Sequence, residues 1–171
     1  MDSTVITETK LIKNTLLADL KQLTKMSLSL SVVFSSVAGY FLAVDTVHFP
    51  TVLLLALGGY FMVGASNAFN QVIEKEPDAL MQRTKNRPLP TQRMSVHIAI
   101  TIAIVFTLLG IAILYSINPK TALFGAISIF LYTSVYTPLK PITPLSVFVG
   151  AVPGAIPFML GWVAATGSFG I

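Results

Sequence analysis

Charged positions in this chain come in short clusters, and long neutral runs separate them. Residues 26–44, 46–73, 94–119, 121–139 and 141–171 contain no Asp, Glu, Lys or Arg. Each run is long enough to cross a hydrocarbon core, which takes about 20 helical residues. The runs are continuously apolar and do not alternate as barrel strands do, so each predicts a membrane-spanning helix that satisfies its own backbone. The expected spans are 26–45, 51–73, 94–116, 120–138 and 144–165. The fold class is therefore all-α, a multi-span transmembrane helical bundle. The chain divides into an N-terminal segment, 1–25, and one membrane domain, 26–171.

Composition agrees with that pattern. Of 171 residues, 54% are hydrophobic and only 11% charged, against about 25% charged in a soluble domain. The bases set an orientation. Lys10, Lys13, Lys21 and Lys25 precede the first span; Lys75, Arg83, Lys85, Arg87 and Arg93 follow the second; Lys120 and Lys140 stand alone in later links. The positive-inside rule places the N-terminus and the 74–93 loop in the cytoplasm. The net charge of +4 is accounted for by topology and gives no case for nucleic acid. Without cysteine, neither a disulfide framework nor a thiolate metal site is possible. The start, MDSTVITETK, is too polar for a signal peptide and too acidic for a mitochondrial presequence. That favours a bacterial cytoplasmic membrane. Residues 11–23 place Leu16, Leu20 and Leu23 on one helical face, the pattern of a short helix on the membrane surface; a polar tail is the alternative.

Topology asks for Lys and Arg but not for the acids of NQVIEKEPDALMQRTKNRPLP, residues 70–90. Asn70, Glu74 and Asp78 are four apart and share one helical face, each about 6 Å further along the axis. Asn67 joins the same stripe. Ionisable groups at a membrane helix end usually face a cavity. Oxygen ligands suit a hard cation, and Mg²⁺ is often held by one or two carboxylates plus a substrate's phosphates. Arg and Lys just downstream would grip those phosphates. The set reads as a Mg²⁺–diphosphate site at the cytoplasmic mouth of the bundle; a solvated, salt-bridged helix end is the bland alternative.

The pattern Asn70, Glu74, Asp78 followed by Arg83-Thr84-Lys85-Asn86-Arg87-Pro88-Leu89 resembles the first motif of the UbiA-type intramembrane prenyltransferases. LSLSVVFSSVAGYFLA, GGYFMVGASNAFNQ and YTPLKPITPLSVFVGAVPGAIPFMLGW extend the resemblance over nearly the whole chain after residue 20. It implies part of a nine-helix fold in which Asn70, Glu74 and Asp78 hold Mg²⁺ and diphosphate. Lys25, Arg83, Lys85 and Arg87 would neutralise the diphosphate. The segments are most similar to members that transfer farnesyl from farnesyl diphosphate to a vinyl group of heme b, making heme O, with heme A synthase as a downstream partner. Tyr132 and Tyr136, four apart near the end of the fourth span, fit either interfacial anchoring or the lining of the isoprenoid or porphyrin pocket, and Asn67 is a further candidate for that lining.

Pro77 lies between the two acids and lacks the N–H a continuous helix needs, so the helix should kink or end there. Asp78 is the last acid in the sequence, although the family pattern has a second acidic motif in its later half. Five spans stand where nine are expected. The expectation is an N-terminal fragment holding half of a metal site. Gly150 and Gly154 suggest close helix packing, and Pro153 and Pro157 a bend in the fifth span. His48 and His97 are isolated. Rival functions are a sibling prenyltransferase acting on a quinone precursor, and a cation-transporting membrane protein.

Overall fold

The computed structural model describes residues 16–169, and all regular structure among them is helical. Helix α1 is Leu16–Leu23. It is followed by α2 (Met26–Leu42), α3 (Phe49–Ile73), the short α4 (Lys75–Leu80) and α5 (Val96–Ile117). Then come α6 (Pro119–Leu139) and α7 (Ser146–Thr166). Each expected span meets one helix. α3, α5, α6 and α7 are each long and apolar enough to cross a membrane; α2, at 17 residues, qualifies only with α1, from which it is bent by 47°. The stretch expected to form a surface helix is helical from Leu16 as α1, while residues 11–15 lie outside the described residues.

Local chemistry sets the ends. Pro50 opens α3 and Pro119 opens α6, where a missing N–H removes no helical bond. The Ser95 side chain accepts from Ile98 N–H to cap α5, and Asn118 Oδ1 accepts from Thr121 N–H to cap α6. Gly167, in the left-handed region at φ 66°, ends α7 with its N–H on Val163 O.

α3 is central, packed on α5 and on α2, while α7 lies against α2 and α6. One core cluster, around Tyr40, Leu55, Met62, Leu114 and Leu160, fills the middle of the bundle. A second, around Leu23, Ala68, Leu89 and Met94, seats the loop between α4 and α5 at the polar end. Phe34, Leu108 and Phe148 point outward, as lipid-facing side chains do. α2 and α7 cross with their backbones in close approach. A Cβ on Gly39 would sit 2.1 Å from Phe158 O, and one on Gly161 would sit 1.9 Å from Ser36 O. Gly150 and Gly154 do not make such a crossing. The space above Gly150 is taken by the Tyr136 ring, and Gly154 has nothing within 4 Å of where its Cβ would stand.

Candidate functional site

At the polar end, α3 stops at Ile73, and Glu74 forms the joint to α4. Pro77 explains the break: its ring would clash with Ile73 O and its nitrogen has no proton to donate there. The acidic stripe survives the break. Glu74 N–H donates to Asn70 O at 2.9 Å and Asp78 N–H to Glu74 O at 2.8 Å, so the three residues keep helical spacing. Pro77, Asn70, Glu74 and Asp78 all line one cavity of about 420 Å³. Glu76 is exposed, away from it.

A second break faces the first. Between α1 and α2, Lys25 is held at φ 46°, a region a non-glycine residue rarely occupies. The carbonyls this break frees find side-chain donors. Ser29 Oγ and Asn67 Nδ2 donate to Thr24 O at 2.7 and 3.3 Å. Gln71 Nε2 donates to Gln22 O and Leu23 O at 2.9 and 2.8 Å. The bend aims Lys25 into the cavity, where its Nζ donates to Asn70 Oδ1 at 3.3 Å. Lys25 belongs to neither helix. Burial, and then the positive charge of Arg87, lower its ammonium from 10.5 to about 8, a strain that a bound anion would relieve.

The loop after α4 contributes the remaining bases. Thr84 Oγ1 donates to Asp78 O at 2.9 Å, Pro88 and Leu89 are buried, and Arg93 ties the loop to α1 through Asp19 at 2.9 Å and Gln22 at 3.0 Å. This anchoring directs Arg87 Nη1 onto Asp78 Oδ2. From the far side of the cavity, Lys140 Nζ reaches Glu74 Oε1 at 2.9 Å. α6 is π-helical from Leu131 to Tyr136, a distortion common at functional sites. Thr137 Oγ1 donates to Tyr132 O at 2.8 Å and accepts from Asn70 Nδ2 at 3.4 Å.

Lys25, Arg83, Arg87 and Lys140 therefore share one cavity with Glu74 and Asp78. Four bases face two acids, so the cavity favours an anion beyond what the acids neutralise. Oxygen is the donor atom throughout. No group of three His, Cys, Asp or Glu that would enclose a metal occurs among the described residues. That donor set fits Mg²⁺ bound by one or two carboxylates and completed by phosphate oxygens.

Of the residues singled out from sequence, Lys25, Asn70, Glu74, Asp78, Arg83, Arg87 and Tyr132 meet at this cavity. Three stand apart. Lys85 is exposed and outside the cavity wall, because the loop turns it away when it buries Thr84 and Pro88. Asn67 lines the next cavity inward and holds the α1–α2 break. Tyr136 packs on Tyr132, ring centroids 5.3 Å apart, and over Gly150. His48 and His97 are exposed and line none of these cavities. Sequence reasoning missed Lys140 and Thr137 as cavity residues; a lone base directly after an apolar span was the available signal for Lys140.

The UbiA prenyltransferase family matches residues 32–171, and the chain belongs to that family. Among its relatives, the protoheme IX farnesyltransferase of Christiangramia forsetii is 73% identical over 156 residues, covering 91% of this chain and 52% of that protein. The mitochondrial protoheme IX farnesyltransferase of Homo sapiens is 43% identical over 150 residues, covering 87% of this chain and 34% of that one. The chain spans about half the length of the bacterial relatives. In fold it is similar to a digeranylgeranylglyceryl phosphate synthase (TM-score 0.82, 18% identity, 88% of this chain and 53% of that one). It is also similar to a UbiA homologue from Archaeoglobus fulgidus solved with DMAPP and Mg²⁺ (TM-score 0.76, 20% identity, 88% and 55%).

Proposed function

We propose that this chain forms the first half of a membrane protoheme IX farnesyltransferase, which transfers the farnesyl group of farnesyl diphosphate to a vinyl group of heme b. The observation that carries the reading is the cavity at the polar end, where Lys25, Arg83, Arg87 and Lys140 converge on Asn70, Glu74 and Asp78. High identity to relatives of that name supports the choice of heme b over a quinone precursor. The clustered bases support a cytoplasmic placement of this end, in a bacterial inner membrane.

In the reaction, the C1–O bond of the allylic diphosphate breaks and its electron pair leaves with the diphosphate. The π electron pair of the vinyl group then forms the new bond to C1, and water adds to the carbocation this leaves on the other vinyl carbon, losing a proton so that a hydroxyl remains there. Arg87, Arg83, Lys25 and Lys140 stabilise the charge that develops on the leaving group, and they are in place before it forms. Arg87 and Lys140 are paired with Asp78 and Glu74 until the diphosphate arrives. They then turn their donors to it, which frees both carboxylates. Asn70, Glu74 and Asp78 would hold Mg²⁺, which would supply further neutralisation of the diphosphate. Inward of Tyr132 the walls are mostly apolar, with Ser66, Asn67 and Ser128 as the polar exceptions, which limits the water that reaches the allylic cation.

The test is expression of the full-length protein in cells lacking heme O, with Glu74→Ala and Asp78→Ala alongside. Heme O in extracts of the parent, and its loss in both variants at equal membrane abundance, is the expected result. A prenylated quinone in place of heme O would refute the acceptor. Normal heme O in either variant would remove that carboxylate from the site.

A further inference from the structure

The charged cavity is the top of a column. Below it lies a second void of about 150 Å³, and below that a third of about 40 Å³. Leu28 and Tyr132 wall both the first and the second; Val32, Val63 and Pro157 wall both the second and the third. Along α3 the column runs from Asn70 to Gly59, about 16 Å at 1.5 Å per residue. An isoprenoid advances by four carbon–carbon bonds per unit, roughly 5 Å, so three units match that length.

Gly59 stands where the column ends. It is buried, yet a Cβ there would meet only Val33 Cγ2, at an ordinary 3.6 Å. Its neighbours in the bundle differ. The spaces above Gly58 and Gly125 are filled by Leu114, and the space above Gly110 by Met62, each within 2.8 Å of where a Cβ would stand. Those glycines receive a side chain, whereas Gly59 leaves a void. Met62, also in the wall of this last void, closes it with an unbranched, adaptable side chain.

We propose that Gly59 and Met62 set the length of isoprenoid that this site accepts, by fixing the depth at which the tail of the prenyl diphosphate ends. The proposal rests on the prenyl-diphosphate reading above. It predicts opposite shifts from the two residues. Gly59→Leu fills the floor and excludes the third isoprene unit; Met62→Ala deepens it toward a fourth.

The experiment is equilibrium competition among geranyl, farnesyl and geranylgeranyl diphosphates on the detergent-solubilised full-length protein with Mg²⁺. Gly59→Leu should weaken farnesyl diphosphate about tenfold relative to geranyl diphosphate, since misfit in an apolar pocket discriminates at this level. Geranyl diphosphate itself should bind as in the parent. Met62→Ala should improve geranylgeranyl diphosphate relative to farnesyl diphosphate. If Gly59→Leu does not fold, Gly59→Ala, whose methyl has room, should give a smaller shift in the same direction. An unchanged chain-length ratio in a folded Gly59 variant, with the parent still binding, overturns the gauge alone. A parent that binds none of the three overturns the prenyl-diphosphate reading, and the gauge with it.

Discussion

Removing Arg87 should damage stability and ligand binding separately, and the two effects can be told apart. The Asp78 side chain is 4% exposed and the Arg87 side chain 19%, and they form a direct ion pair. Arg87→Met leaves a buried carboxylate without its counter-charge. Breaking a buried pair from one side costs about 3–5 kcal/mol. For a domain of this size each kcal/mol moves the melting temperature by roughly 2–4 °C, so a drop of about 6–20 °C is expected. Adding Asp78→Asn should restore most of it, because the uncompensated charge is then gone. Binding of prenyl diphosphate should remain weak in the double variant, which has lost both a base and an acid. The assay is thermal unfolding in detergent micelles, paired with calorimetric titration of farnesyl diphosphate. Raising the salt should leave the melting difference nearly intact, since buried pairs are poorly screened. A single variant that melts within about 2 °C of the parent would show that Asp78 is solvated, and would refute the reasoning.

Lys140→Met should behave in the opposite way. Lys140 is 47% exposed in its pair with Glu74, so stability should change by less than about 1 kcal/mol while diphosphate affinity falls severalfold; unaltered affinity in the titration would take Lys140 out of the site. Lys85→Ala should leave affinity within about twofold of the parent, because the side chain lies outside the cavity, and a loss like that of Arg87 would mean that the loop rearranges on binding. Gly161→Ala should destabilise the α2–α7 crossing by about 1–3 kcal/mol or more, read as a lower melting temperature, since its methyl would collide with Ser36 O; a normal melt would show that the helices separate freely.

The spanning helices were legible because runs free of charge are rare outside membranes, and the observed helices fall within about three residues of the expected ends. The break near Pro77 was legible too, since proline acts on a carbonyl fixed by sequence distance. The stripe on α3 was legible as a face, but its roles were not. Asn67 and Asn70 look alike in sequence, yet Asn67 serves the carbonyl of Thr24 and Asn70 faces the charged cavity. Gln71, which holds the same break by two bonds, carries no mark of that role in the sequence around it. What distinguishes these residues is the free backbone of another helix, 43 to 49 positions away, and no local pattern encodes it. Gly150 and Gly154 share a spacing that reads as packing, but a ring covers one and the other is open. Lys85 lies between cavity-lining Arg83 and Arg87, and only the fold of the loop separates it from them.

The interruptions of the bundle converge on one residue. α1 and α2 part at Lys25, α3 and α4 part at Glu74, and α6 loosens into a π-helix before Thr137. In a membrane, irregular backbone persists only where other groups satisfy what it frees, or where it borders a cavity. Asn70 joins the three. Its backbone O accepts from Glu74 N–H, its Oδ1 accepts from Lys25 Nζ, and its Nδ2 donates to Thr137 Oγ1. Thr137 spends its own proton on Tyr132 O, so its oxygen needs a donor from Asn70. An ionised carboxylate only accepts; an aspartate here would keep Lys25 and lose Thr137. The first position of the stripe therefore needs an amide, while the second and third, which face Lys140 and Arg87, need acids. The order Asn, Glu, Asp follows from what each residue meets across the cavity.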